Sequence, residues 1–123
     1  INSSEQHFIP TLIKDDEDKD FALTLLNKTI LNLSHYSDVI EEKTQNWDKD
    51  RIANIDFVLL QMAICEFQKF PSIPVKVTIN EYIEIAKEYS TPKSSIFING
   101  VLDKIVKEYT DKRILNKVGR GLM

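Results

Sequence analysis

Residues 73–109 read IPVKVTINEYIEIAKEYSTPKSSIFINGVLDKIVKEY. On both sides of the central STP sequence, apolar side chains recur at the three- and four-residue spacing of an amphipathic α-helix. Pro92 breaks that pattern, because a proline cannot continue a helix from the preceding turn. The stretch therefore predicts two helices joined by a short turn, with Thr91 as the N-cap of the second helix and Pro92 at its first position.

Two more segments upstream show helical spacing. Residues 18–36 carry one apolar stripe, and residues 38–46 continue as a short polar helix or turn. Residues 47–70 are apolar nearly all round, which is typical of a central buried helix. No segment has the strict alternation of a β-strand, and the chain contains only three Gly and four Pro. We therefore predict an all-α fold, a helical bundle of about five helices.

The composition is that of one modest soluble domain. The 123 residues are 42% hydrophobic and 28% charged, and no apolar run approaches the roughly 20 residues of a membrane span. The single cysteine, Cys65, excludes an internal disulfide. We expect a cytoplasmic protein with an acidic arm at residues 1–17, a helical domain at residues 18–109 and a basic tail at residues 110–123.

The sequence lacks the patterns that catalysis requires. It has no glycine-rich phosphate loop, and no nucleophile is paired with a base in a recognisable spacing. His7 and His35 stand apart from any cluster with metal-ligand spacing. Glu81 and Glu84 share a helix face, but no second motif accompanies them to build a metal pair. We therefore predict a binding protein rather than an enzyme, with no catalytic residue, cofactor or metal.

Charge is distributed unevenly along the chain. Residues 1–50 carry 11 acids and 5 bases, whereas residues 51–123 carry 8 acids and 11 bases. The bases are dense from Lys104 onward. Two interpretations stay open for this region: a basic face for phosphate groups, or a solvated helix end followed by a basic tail.

Several residues interrupt the apolar helices. Asp56, Gln61 and Glu66 lie on the predicted buried helix, where each must pair inside the protein or form a ridge that faces a partner. Gly100 lies inside a helical pattern at a cost of about 1 kcal/mol relative to Ala. Either it permits close approach of two helices, or it exposes backbone and the Asn99 amide to a ligand.

Motifs spread over residues 18–109 together resemble the NusB family of transcription antitermination factors. The most specific are INE at residues 79–81, AK at residues 86–87 and FINGVLD at residues 97–103. Shorter matches are WDKDR at residues 47–51 and AICEF at residues 63–67. The resemblance implies an all-α fold and a non-enzymatic role. In that role the protein binds the boxA element of nascent single-stranded RNA together with the ribosomal protein NusE, and the RNA polymerase antitermination complex then reads through terminators.

The resemblance also implies site residues. The family's protein-partner surface uses an acid early in the central helix, which falls on Asp56, and Glu66 on the same helix is the second candidate for partner binding. The RNA surface includes the aromatic residue of the F-x-N-G motif, Phe97, for which base stacking and a plain core role both stay open. The candidate RNA-binding residues are Gln61, Lys76, Asn80, Lys93, Ser94, Phe97 and Lys104.

The chain departs from the family pattern in three places. Lys93 stands where the well-known form has an acid, so it adds a candidate phosphate contact. Gln61 stands where members often have Arg. The family opens with a basic helix, whereas residues 1–20 hold only Lys14 and Lys19 as bases. We therefore expect the C-terminal portion of a longer protein, with weak RNA affinity of its own.

Two other functions compete with antitermination. A NusB-like domain also serves as the RNA-recognition module of a ribosomal RNA cytosine methyltransferase, in which the chain continues into a glycine-rich cofactor-binding domain. The other alternative is a pure protein-interaction domain that has lost RNA binding.

Overall fold

The computed structural model describes residues 16–45 and 53–122, and these residues form five α-helices. They are α1 (Asp16–Leu31), α2 (Leu33–Lys43), α3 (Asn54–Lys69), α4 (Val75–Tyr89) and α5 (Ser94–Asp111). A short 3-10 helix, Gly119–Leu122, follows. The prediction of an all-α bundle of about five helices is confirmed. None of the described helices is long and apolar enough to cross a membrane.

Helix α3 is the centre of the bundle. It packs against each of the other four helices, and Leu60, Ala63, Ile64 and Cys65 on it are fully buried. Burial of each large aliphatic side chain stabilises a fold by about 1.5–3 kcal/mol. The apolar character predicted for this helix is therefore what lets it contact the bundle on several sides.

Helices α4 and α5 pack against each other as a helical hairpin. Residues 90–93 join them, as the sequence predicted, but α5 begins at Ser94 with Lys93 at the N-cap. The prediction of Thr91 as the N-cap is wrong. The Thr91 hydroxyl lies 2.8 Å from the hydroxyl of Ser94, and the Thr91 carbonyl accepts a hydrogen bond from the Ser94 backbone N–H. These bonds form a turn that precedes the helix.

Two other boundaries differ from the sequence prediction. The segment predicted as one helix over residues 18–36 breaks at Asn32, whose backbone (φ −116°, ψ 19°) leaves the helical region. The Asn32 side-chain amide donates to the Lys28 carbonyl at 2.9 Å, which offers the backbone an alternative to continuing the helix.

The predicted helix over residues 47–70 begins at Asn54 in the structure. Residues 47–52 lie outside the described part of the chain, as does nearly all of the predicted acidic arm.

Helix α1 is apolar on two sides. Leu25 is buried, and α1 packs against α3. Leu23, Leu26 and Ile30 are about half exposed on the same helix. The predicted stripe is therefore only partly covered by the described residues.

The chain after α5 folds back onto the end of α3. The Lys117 ammonium donates to the backbone carbonyls of Glu66 (3.2 Å) and Phe70 (3.0 Å). The Val118 N–H donates to the Pro71 carbonyl at 3.0 Å. Gly121 packs so closely on Pro71 that a Cβ atom at position 121 would collide with the Pro71 carbonyl oxygen. The carbonyls of Glu66 and Phe70 also accept bonds from the backbone N–H groups of Phe70 and Ile73, so Lys117 adds a second donor to each of them at the end of the helix.

Candidate nucleic-acid interface

A buried carboxylate ties the α4–α5 turn to the start of α3. Asp56 is only 3% exposed. Its Oδ1 accepts a hydrogen bond from Ser90 Oγ at 2.8 Å, and its Oδ2 accepts one from Ser94 Oγ at 2.7 Å. Because a carboxylate is an acceptor only, it can hold two hydroxyl donors from two different positions of the turn. Asp56 therefore fixes the geometry of the turn from the buried side, through α3.

Glu66, near the end of α3, is the second buried carboxyl. It is 2% exposed, and Thr78 Oγ1 on α4 donates to its Oε1 at 3.3 Å. Burial raises the pKa of Glu66, while hydrogen bonds from Tyr82 and Thr78 and the charge of Lys117 oppose that increase. Asp56 and Glu66 thus both pair inside the protein, and their assignment to partner binding stays a prediction.

Three of the seven candidate RNA-binding residues are wholly or partly enclosed. Ser94 is buried in the Asp56 cluster. Phe97 is 7% exposed and belongs to the hydrophobic core, so little of its ring reaches the surface. Gln61 is half-buried, and its Nε2 donates to Ser37 Oγ on α2 at 2.9 Å. Their predicted RNA contacts are untested, but each has a visible structural role.

The other four candidates are exposed but do not share one concave site. Lys76 and Asn80 lie on α4, Lys93 lies in the turn and Lys104 lies on α5. Asn80 lines an open depression of about 340 Å³ with Glu81, Glu84 and Ile85. Lys104 lines a different depression, in which four of the six lining residues are lysines. The sequence grouped these residues, whereas the structure places Asn80 and Lys104 in two different depressions.

The basic depression, called here the cationic groove, lies between the end of α2 and the second half of α5. Its volume is about 410 Å³, and it is lined by Lys43, Lys104, Lys107, Glu108, Asp111 and Lys112. Its four lysines and two acids leave an excess of two positive charges.

Glu108 in the cationic groove is doubly paired. Its carboxylate contacts Lys43 Nζ at 3.0 Å and Lys112 Nζ at 3.1 Å, and these two lysines lower its pKa, Lys43 first. Lys104 and Lys107 have no ion pair with any described residue. The sequence interpretation missed Lys43, which is 61 positions from Lys104 in the chain, and no local signal near it pointed to this site.

Gly100 does not serve close packing among the residues that the structure describes. A Cβ atom built at this position meets none of their atoms within 4 Å, and the residue is partly exposed on α5. The interpretation that Gly100 permits close approach of two helices is therefore wrong. The remaining alternative, exposure of backbone beside the Asn99 amide, fits the open space.

Comparison with known proteins identifies the family. The model of the NusB family matches residues 2–107. The chain belongs to the NusB family. A NusB family member named transcription antitermination protein NusB, from Salinibacter ruber, is 46% identical over 112 residues, which are 91% of this chain and 70% of that relative. A relative of the same name from Chloroherpeton thalassium is 43% identical over 91% of this chain and 53% of its own length.

A solved structure supports the NusB fold independently. T. maritima NusB superposes with a TM-score of 0.73 at 37% identity, and the match covers 80% of this chain and 70% of that chain. The helices described above are therefore the NusB arrangement. Among the described residues, no group of three His, Cys, Asp or Glu is placed to hold a metal ion.

Proposed function

We propose that this protein is a transcription antitermination factor that binds boxA-type single-stranded RNA together with the ribosomal protein NusE, in the cytoplasm, as part of an RNA polymerase antitermination complex. The observation that carries the proposal is its 46% identity, over 91% of its length, to a relative named transcription antitermination protein. The role is one of binding and assembly, without a catalytic step.

The exposed side of α5 is the part of the surface best suited to RNA. A helix has 3.6 residues per turn, so positions separated by three, four or seven residues share a face. Lys93, Gly100 and Lys104 follow this spacing, and a partly open backbone therefore lies between two exposed cations. Lysines contact phosphates, and the Asn99 amide and the Gly100 backbone are available for contacts to a base or ribose.

The buried candidate residues contribute to the proposed function by fixing the position of other residues. Asp56 and Ser94 position the turn that carries Lys93, and Glu66 positions the first half of α4 through Thr78. Asp56 and Glu66 act here as positioning residues, and a direct contact of either with NusE stays a prediction. Lys76 and Asn80, both exposed on α4, complete the proposed RNA surface.

The test is a titration of boxA-type RNA and a scrambled RNA of equal length, with and without NusE, at two salt concentrations. The proposal expects tighter binding of the boxA-type RNA, a further gain with NusE, and weaker binding of both RNAs at high salt. Equal affinity for the two RNAs in the presence of NusE would refute it.

A further inference from the structure

We infer that the cationic groove is a binding site for the phosphate backbone of single-stranded RNA, and that it extends the RNA surface along α5 away from the α4–α5 turn. This inference rests on the proposed function, which makes RNA a partner of this chain. It adds Lys43, Lys107 and Lys112 to the residues that the sequence pointed to, and it gives Lys104 a specific role.

The charge arrangement leaves two lysines available. Lys43 and Lys112 are occupied by Glu108 at 3.0 and 3.1 Å, so one of the two acids of the cationic groove is neutralised, and Asp111 remains as the other. Lys104 and Lys107 are exposed and have no ion pair with any described residue. An incoming phosphate therefore meets two ammonium groups without an ion pair to any described residue, and two more lysines line the same groove.

The spacing along α5 also fits a strand. Lys104 and Lys107 are three positions apart, which places their Cβ atoms about 5–6 Å from each other on one face. With a rise of 1.5 Å per residue, Lys104 lies about 16 Å along the axis from Lys93 at the turn. A strand that contacts both Lys93 and Lys104 would cross Gly100, which has no side chain and no atom of another described residue within 4 Å of its Cβ position.

The lining distinguishes RNA from an acidic protein segment. All six lining residues are charged, and none is apolar or aromatic. Protein interfaces place apolar and aromatic anchors at their centre and are depleted in lysine. A cluster of lysine point charges with no apolar anchor instead suits phosphates, whose recognition is electrostatic and independent of sequence.

The experiment compares two variants of equal charge. Lys104→Gln with Lys107→Gln removes the free cations of the cationic groove. Lys19→Gln with Lys69→Gln removes two exposed lysines on α1 and α3, outside the groove. Each variant is titrated with boxA-type RNA, with scrambled RNA of equal length and with a poly-glutamate peptide, at 50 and 200 mM salt. Circular dichroism and the thermal midpoint verify that both variants fold.

The inference expects the groove variant to bind both RNAs on the order of tenfold more weakly at 200 mM salt, and the slope of log K against log salt to fall by about 1.4, or 0.7 for each lost phosphate contact. The control variant should retain most of the wild-type affinity. Equal losses in the two variants would overturn the inference, because only net charge would then matter. A loss for poly-glutamate but not for RNA would overturn it in favour of an acidic protein partner.

The outcome separates this inference from the proposed function. If wild type binds boxA-type RNA more tightly than scrambled RNA and the groove variant matches wild type, the inference fails and the proposed function stands. If the groove variant weakens both RNAs but wild type does not distinguish them, the inference stands and boxA recognition fails. Absence of binding to either RNA refutes both.

Discussion

Ser94 donates a 2.7 Å hydrogen bond to the carboxylate of Asp56, 38 positions earlier in the chain. The bond joins the first turn of α5 to the first turn of α3, and both residues are buried. The α4–α5 turn, which carries Lys93, is therefore anchored to the central helix through side chains as well as through the chain itself.

Loss of this bond should be costly. In the Ser94→Ala variant the buried carboxylate keeps the Ser90 donor but loses the other, and Thr91 loses its hydroxyl partner. Hydrogen bonds to charged groups contribute roughly 1.5–3 kcal/mol, and we expect the free energy of unfolding in urea to fall by about that amount. The matched control is Ser95→Ala, on the half-buried neighbour that makes no side-chain hydrogen bond with any described residue. Equal effects of the two substitutions would contradict the anchoring role of Asp56.

Gly100→Ala should stabilise the protein. The position is inside α5, and an added Cβ meets no atom of the described part of the chain within 4 Å, so the helix gains the preference for Ala over Gly of about 1 kcal/mol. Urea denaturation measures this gain. Gly121→Ala is the opposing control, because its Cβ would collide with the Pro71 carbonyl oxygen, and it should lower stability. If Gly100→Ala weakens RNA binding while it stabilises the fold, the glycine is needed to keep the backbone exposed to RNA. If the RNA affinity is unchanged, Gly100 is not part of the RNA interface.

The pH dependence of stability should change in the Glu66→Gln variant. The ordinary pKa of this carboxyl is 4.5, and burial raises it in the folded protein. Above pH 4.5 the unfolded chain therefore releases this proton before the folded protein does, and the free energy of unfolding falls as pH rises toward the folded pKa. The variant has no proton to release at this position, so its free energy of unfolding should fall less over that interval. Parallel curves of unfolding free energy against pH for wild type and variant would contradict this.

The Tyr109→Phe substitution should leave the free energy of unfolding unchanged or raise it. The Tyr109 hydroxyl is buried and has no hydrogen-bond partner among the described residues, and burial raises its pKa to about 12, so it stays neutral. Removal of an unsatisfied buried hydroxyl should leave the thermal midpoint unchanged or raise the free energy of unfolding by about 1 kcal/mol. Tyr82→Phe is the contrast, because that hydroxyl bonds Glu66 and its loss should destabilise. A destabilised Tyr109→Phe variant would reveal a partner for the hydroxyl.

The parts of the fold that follow from local periodicity were predictable, and those that depend on single side chains were not. The stripes around Ile98 and Leu102 indicated a helix with one buried face, and both residues are fully buried. The break at Asn32 was missed because the apolar spacing continues through it to Tyr36. The break follows from a local bond of the Asn32 amide, which competes with the helix but leaves no mark on the hydrophobic pattern.

The site was harder to predict than the fold for a related reason. The sequence identified Asp56 and Glu66 as polar residues on a buried helix, and it left open whether they pair inside the protein or face a partner. In the structure both pair inside the protein. Their partners Ser94 and Thr78 lie on other helices, so the choice required tertiary structure. Lys43 entered the cationic groove only because α2 ends beside α5, and a residue that distant in the chain carries no local signal of such a neighbour.

The backfolded segment after α5 has a practical consequence for where this domain is cut. The family match ends at residue 107, and a shortened chain designed on that boundary would discard Lys117 and Gly121. The Pro71 carbonyl would lose its donor, the Val118 N–H, and the carbonyls of Glu66 and Phe70 would lose the Lys117 ammonium and keep only the backbone N–H groups of Phe70 and Ile73. The packed structure thus extends beyond the family match, and a fusion partner joined directly after α5 would take the place of the segment that packs on the end of the central helix.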